Sequence, residues 1–270
     1  MSDRGVPLAG GNVTAGLVRV GATVRRPSGP WSPSVHHFLS YLNSVGYEGA
    51  PQSFGFEEQG RHVVEYVPGD VATPFEAADL RSAMRRVGRL LRDLHDASAE
   101  YTPPADSVWN IGIPADRCDL IVHHDASPWN LVLNADRWAL IDWDTTAPGS
   151  RLWDVAYAAH GFVPLAPKTS PSAAGRLLAA MADGYGLTGD QRVELSALIA
   201  PRVWSMYRLL AHGHHNRVEP WARLWLVGRP RQNLAGRCGV RRAAPRAAAR
   251  RTPRPRVGAD RHDHLGSLRR

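Results

Sequence analysis

From Leu120 to Asp142 the chain reads "LIVHHDASPWNLVLNADRWALID", three apolar runs of about three residues, each closed by a polar turn. Runs this short cannot make helices with a buried face, and the turns between them are rich in oxygen- and nitrogen-tipped side chains. The segment predicts three small strands carrying two exposed polar loops, a frame for a site more than for a core. What lies on either side is patterned differently. Before it, "GLVRVGATVRR" (16–26) alternates and predicts two strands turning at Gly21, preceded by the glycine pair of "LAGGN". The prolines from Pro27 to Pro33 break the pattern, after which Val35, Phe38, Leu39 and Leu42 fall at helical spacing over 34–44, with Gly46 as a stop. "RHVVEYV" predicts a strand ended by Pro68-Gly69, and Leu80, Met84, Val87, Leu91 and Leu94 mark one face of a long helix with arginines opposite. His95 falls beside Leu91 and Leu94 and reads as a packing histidine.

After the polar segment the periodicity predicts helices over 151–161, 171–185 and 189–215. Strands first, helices after, and a polar cluster between them predict a two-lobed α+β protein, with lobes over 1–67 and 68–227. Composition changes once more at Gly228. Of the chain's 33 basic and 25 acidic residues, thirteen arginines but only Asp260 and Asp263 lie from there on, so that tail carries +11 and the rest −3. The overall +8 therefore describes the tail alone. Its Arg, Ala and Pro predict disorder, and three readings stay open: a nucleic-acid-attracting arm, a neutral extension, or a frameshifted end.

Cys118 and Cys238 do not make a disulfide framework, and no apolar run approaches a membrane span. The first residues, "MSDRGVPLAGG", lack the basic-then-apolar pattern of a signal peptide. These features predict a cytoplasmic protein without a membrane partner. They leave the oligomeric state undetermined.

Asp125 and Asn130 bracket a five-residue interval, and Asp142 ends the last apolar run. A carboxylate, an amide oxygen and a second carboxylate on neighbouring loops form the hard-oxygen set that suits Mg²⁺. Read singly, each is also an ordinary turn or cap residue. His123 and His124 have no further His or Cys at ligand spacing, which argues against zinc. Trp129, Trp143 and Trp153 are expected to pack beneath these loops.

Taken together, "HHDASPWN", "LIDWD" and "RLWDVAYA" resemble the aminoglycoside phosphotransferase and choline kinase branch of the protein-kinase-like fold, whose pattern is H-x-D-x-x-x-x-N, then I-D-x, then an Asp before an apolar helix. The motifs span residues 121–158, and the weaker strand and helix pattern extends the likeness to about residue 225. The resemblance implies a small β-rich N-lobe that binds nucleotide and a larger, mainly helical C-lobe that carries the catalytic and substrate residues. It implies transfer of the γ-phosphoryl of ATP or GTP to the hydroxyl of a small molecule, with Mg²⁺. Asp125 would be the catalytic base or orienting carboxylate, His123 its brace, Asn130 and Asp142 the metal ligands, and Asp154 the support from behind. Adenine would dock near Glu65, Tyr66 and Val67.

The chain departs from the family pattern in two respects. Its only lysine, Lys168, comes too late to be the strand lysine that meets the phosphates, which leaves Arg25 or Arg26 as substitutes. The helix over 34–44 also has no acidic residue to pair with such a cation. The alternative is accordingly a kinase-fold binding or immunity protein with little or no catalysis. A polycationic aminoglycoside needs an acidic cleft, but "APRVWSMYRLLAHGHHNR" (200–217) is basic, so a neutral or anionic hydroxyl compound fits better.

Overall fold

In a computed structural model of the chain, residues 5–8, 16–72, 75, 79–165 and 169–228 are described. The glycine pair of "LAGGN", Lys168 and the Arg-rich segment fall outside them. The strands β1 (Val6–Pro7), β2 (Val18–Val20), β3 (Thr23–Arg26), β4 (Ser53–Phe56) and β5 (His62–Glu65) form one antiparallel sheet in the order β1-β2-β3-β5-β4. Gly21 turns β2 into β3 with a φ of 59°, a conformation glycine adopts without steric cost. Across the sheet Arg26 pairs in register with His62. β4 has no counterpart in the sequence analysis, because Gly55 at φ 82° interrupts the alternation.

Helix α1 (Ser32–Ser44) follows β3. It starts two residues before the expected boundary because Pro33 sits in its first turn, where a missing N–H costs nothing. Val35, Phe38, Leu39 and Leu42 are its buried face, and Gly46 at φ 79° lies just past its end.

After β6 (Asp70–Val71), helix α2 (Leu80–Ala99) begins at Asp79, whose carboxylate accepts from the backbone N–H of Arg81 and Ser82 at 3.0 and 3.1 Å. Met84, Val87, Leu91 and Leu94 are buried on one face. The three short apolar runs are strands: β7 (Leu120–Val122), β8 (Leu131–Leu133) and β9 (Trp138–Leu140). β8 joins β6 and β9, while β7 pairs with β10 (Ala147–Gly149), so Val122 faces Ala147. Helices α3 (Arg151–Phe162), α4 (Pro171–Tyr185), α5 (Gly189–Asn216) and α6 (Trp221–Gly228) complete the described chain. α5 is opened by a capping box of Thr188 and Gln191 and stopped at Arg217, in the left-handed region at φ 56°. "PWARLWLVG" is thus a separate helix instead of an extension of α5.

α2 and α4 meet through glycine. A Cβ on Gly88 would stand 2.1 Å from the carbonyl oxygen of Met181, and one on Gly184 would stand 2.0 Å from that of Arg85. The main core joins Phe38 and Leu42 of α1, Leu91 and Leu94 of α2, Val155 of α3 and Met181 of α4 to Leu131 and Leu140 of the small strands. Each such side chain contributes about 1.5–3 kcal/mol on burial, so the two polar loops are carried on the best-packed part of the molecule. No described helix is long and apolar enough to cross a membrane.

Candidate active site

The loop from β7 to β8 carries His123, His124 and Asp125 and ends in a single 3-10 turn, Pro128–Asn130. The Asn130 side-chain nitrogen donates to the Asp125 carbonyl at 2.9 Å and to its carboxylate at 2.8 Å. That commits the amide hydrogens and leaves the amide oxygen as the atom able to meet a cation. The loop from β9 to β10 carries Asp142, Trp143 and Asp144. The Ile141 N–H donates to the Asn130 carbonyl at 2.8 Å, fastening the second loop to the first. His123 fastens them again. Its Nδ1 accepts from the Asp125 N–H at 3.2 Å and its Nε2 faces the Ile141 carbonyl at 3.2 Å, an arrangement that requires the neutral Nε2–H tautomer. Burial, which pulls its pKa down, favours the same form. Fully buried against Trp143, His123 positions the loops and offers no surface to an acceptor.

His124 and Asp142 have φ of 65° and 62°. Left-handed backbone at a residue other than glycine costs about 1–3 kcal/mol and persists only where the surroundings hold it. At His124 they do so from both sides. Its N–H donates to the Asp154 carboxylate at 2.7 Å, and its carbonyl accepts from Arg202 at 2.9 Å. Asp154, in the first turn of α3, is fully buried and also meets the His123 N–H at 3.4 Å and His95 Nε2 at 3.1 Å. His95 in turn meets the Tyr185 hydroxyl at 2.8 Å. Burial alone would raise the Asp154 pKa, but the His95 hydrogen bond and the neighbouring imidazoles outweigh it and bring it down to about 2.

Asp125 is shifted the other way. Burial raises its carboxyl to about 6, opposed by hydrogen bonds from Tyr157 and Asn130, while the charge of Asp142 adds to the rise and Arg202 opposes it. Arg202 has only 2% of its surface exposed. Its guanidinium lies 4.3 Å from the Tyr157 ring centre and 5.4 Å from that of Trp153. Reading 200–217 as a basic surface is therefore wrong at this residue, which lies beneath the loop. Tyr185 and Arg202 escape a motif reading because each acts from a helix remote in sequence, whereas Tyr157 lies within "RLWDVAYA" but has no role in that motif. An arginine among Val203 and Trp204 is the one signal that could have marked Arg202. Trp143 and Trp153 are buried as expected, whereas Trp129 is 42% exposed and does not pack beneath the loops.

The sheet contributes Arg26. One Nη2 lies 2.7 Å from the Asp142 carboxylate and 2.7 Å from that of Asp144. Burial works against the charge, but the two carboxylates outweigh it and hold the guanidinium protonated. Arg25 points elsewhere, to Glu57 at 2.9 Å. Glu65 is engaged by Arg137 at 2.7 Å and by the Gln52 N–H at 3.0 Å. The Tyr66 N–H donates to Ala22 and its ring lies under Arg19. Val67 joins Val132, Ala139 and Ile141 in a small apolar cluster that ends one residue before Asp142. The geometry thus brings Asp125, His123, Asn130, Asp142 and Arg26 together, and leaves Arg25 apart.

Among the described residues no three His, Cys, Asp or Glu gather into a self-sufficient metal site. The Asn130 amide oxygen and Asp142 do supply two hard-oxygen donors on adjoining loops. That is the partial shell Mg²⁺ accepts when phosphates and water complete it, so the residues fit the ion. Two cavities of about 460 and 620 Å³ flank the arginine face of α2 and contain none of these residues.

A sequence model described as the phosphotransferase enzyme family matches residues 109–196, the stretch that holds both loops and α3. The trifolitoxin immunity protein of Rhizobium leguminosarum bv. trifolii is 33% identical over 214 residues, covering 71% of this chain and 77% of that protein. Among solved structures, an amicoumacin kinase in complex with AMP-PNP, Ca²⁺ and Ami superposes with a TM-score of 0.62 at 13% identity, over 87% of this chain and 88% of the other. A microcompartment-associated aminopropanol kinase gives 0.57 at 18% identity, over 82% and 86%. Likeness at that identity shows the fold, a protein-kinase-like one with a small sheet and a larger helical part.

Proposed function

Because the chain belongs to the phosphotransferase enzyme family, we propose that it moves the γ-phosphoryl of a magnesium-bound ATP or GTP to the hydroxyl of a small molecule. The observation that carries this reading is Asn130. Its nitrogen is spent on Asp125, which leaves its oxygen as the atom that could meet a cation and sets the Asp125 carboxylate in one orientation. Asp125 would align the acceptor hydroxyl and take its proton. Tyr157 and Asn130 hold that carboxylate, while His123 and Arg202 hold the backbone on either side of the bend that presents it. Asn130 and Asp142 would hold Mg²⁺, which neutralises charge on the phosphates. The Val67 cluster offers an apolar seat for the base, and Arg26 is the sheet's candidate to meet phosphate oxygens. Positioning and charge neutralisation do most of the work in such a transfer. A reaction that draws on ATP or GTP would be served in the cytoplasm, which supports that compartment.

The acceptor is best sought among neutral or anionic hydroxyl compounds, since the 200–217 segment has no carboxylate and Arg202 lies behind Asp125. The test is thermal unfolding of the full chain with and without Mg²⁺ and ATP or GTP, beside Asp142→Asn. Ligand at 100 times Kd adds about 2.7 kcal/mol, and the variant should lose that shift. Turnover over a hydroxyl panel should then fall about 10²–10⁴-fold in Asp125→Asn. Full activity in both variants would sink the site assignment.

A second reading is a kinase-fold immunity protein with little turnover. It is favoured by the likeness to the trifolitoxin immunity protein and by the pairing of Arg26 with Asp142. Protection of cells that survives Asp125→Asn would select it.

A further inference from the structure

In this fold the missing lysine and the missing helix carboxylate have one structural consequence. α1 contains no acidic residue, and it is tied to the sheet by a chain of neutral groups: His36 Nδ1 to Ser53 Oγ at 2.7 Å, and Ser53 Oγ to His62 Nε2 at 2.7 Å. His62 is the cross-strand neighbour of Arg26. The helix is therefore fastened without the cation. Arg26 spans instead to the loop after β9 and puts a single nitrogen on both Asp142 and Asp144. The oxygen it takes, Asp142 Oδ1, belongs to the residue that would hold the metal.

We infer that Arg26 and a divalent cation compete for Asp142, that Asp144 is the anchor of the paired arrangement, and that displaced Arg26 becomes the sheet's contact to the nucleotide phosphates. Resting on the phosphotransferase reading for its last step only, the competition itself is a property of these three side chains. Arg26 already holds Asp142 Oδ1, and a divalent ion brought to the same carboxylate meets the repulsion of the guanidinium charge beside it. Metal and nucleotide would consequently arrive together, the phosphates receiving the arginine as the metal receives the aspartate. Asp142 would then be exchanged between partners without passing through an unpaired state.

The experiment counts free Mn²⁺ by electron paramagnetic resonance as the full-length protein is titrated, first without nucleotide. Arg26→Met should bind Mn²⁺ about tenfold or more tightly than the parent, the size of a typical coupling between two sites, while its affinity for metal-free ATP falls. Asp144→Asn should tighten Mn²⁺ by a smaller factor, and Arg26→Lys, a point charge that cannot match the planar fork, should lie between parent and Arg26→Met. Unchanged or weaker Mn²⁺ binding in a folded Arg26→Met protein overturns the competition. Should that variant not fold, unchanged Mn²⁺ binding in Arg26→Lys and Asp144→Asn does the same. A loss of Mn²⁺ affinity in Asp144→Asn would make Asp144 a ligand in place of an anchor. If the parent binds no magnesium nucleotide, the phosphotransferase reading fails by itself, and the Mn²⁺ titrations still decide the competition.

Discussion

The sheet and the loop pair solve the same problem, fixing a backbone near charged chemistry, by different means. Around β3 and α1 the fastenings are small and separate: a His–Ser–His chain, and Arg25 and Arg61 sharing Glu57. Beneath the two loops a single buried carboxylate, Asp154, receives two backbone N–H groups and an imidazole, and a buried arginine closes the far side. The first arrangement can be loosened piece by piece. The second stands or falls together, since removing one partner strands several others away from water.

The sharpest way to break the comparison is Asp154→Ala. Stranding His95 and the His123 and His124 N–H groups should cost about 3–5 kcal/mol, read by urea denaturation. A cost below about 1 kcal/mol, the ordinary worth of a hydrogen bond, would show that the loops are not held as described.

Acid separates the regions next. His62 is pulled from 6.5 to about 4, by burial first and then by Arg26 and His36. With its folded pKa depressed, its contribution is present above pH 6.5 and is lost as pH falls toward 4. The Asp154 contribution, depressed from 3.8 to about 2, is lost only below the ordinary carboxylate range. His123 and His124, which burial also pulls down, weaken the loop after β7 in the same direction, so amide exchange should show protection in α3, which carries Asp154, outlasting that in β3 and β5 as pH falls through 5. Simultaneous loss would erase the distinction.

Ser53→Ala cuts the neutral chain between α1 and the sheet and should cost about 1 kcal/mol, seen as a modest fall in melting temperature with Mn²⁺ binding unaltered. Smallest of all is Glu57→Gln, which removes a partly exposed pair of ion contacts. It should change stability by less than about 1 kcal/mol, with the difference shrinking in salt.

How much of this the sequence discloses depends on how local the cause is. The three strands around the loops follow from short apolar runs between polar turns, and the buried faces of α1 and α2 from spacing alone. Asp125, Asn130 and Asp142 stand within eighteen residues of one another, so their convergence could be read from order and spacing. β4 was hidden by Gly55, and β1, β6 and β10 are two or three residues long and exist only because a distant strand pairs with them. Arg202 reads as a surface charge until α5 is laid against the loop, 78 residues away. The partnership of Arg26 with Asp142 spans 116 residues, and no periodicity carries that information. His95 is buried, as its neighbours on α2 imply, but its partner Asp154 could not be told from α2 alone.

The close approach of α2 and α4 has a consequence for how this molecule could diversify. With a carbonyl oxygen of one helix standing where a methyl group of the other would have to go, at Gly88 and again at Gly184, neither position tolerates even alanine. Between α5 and α6 the aromatic contacts of Trp204, Tyr207 and Trp225 are made by side chains, but a Cβ on Gly213 would stand 2.2 Å from that of Trp221.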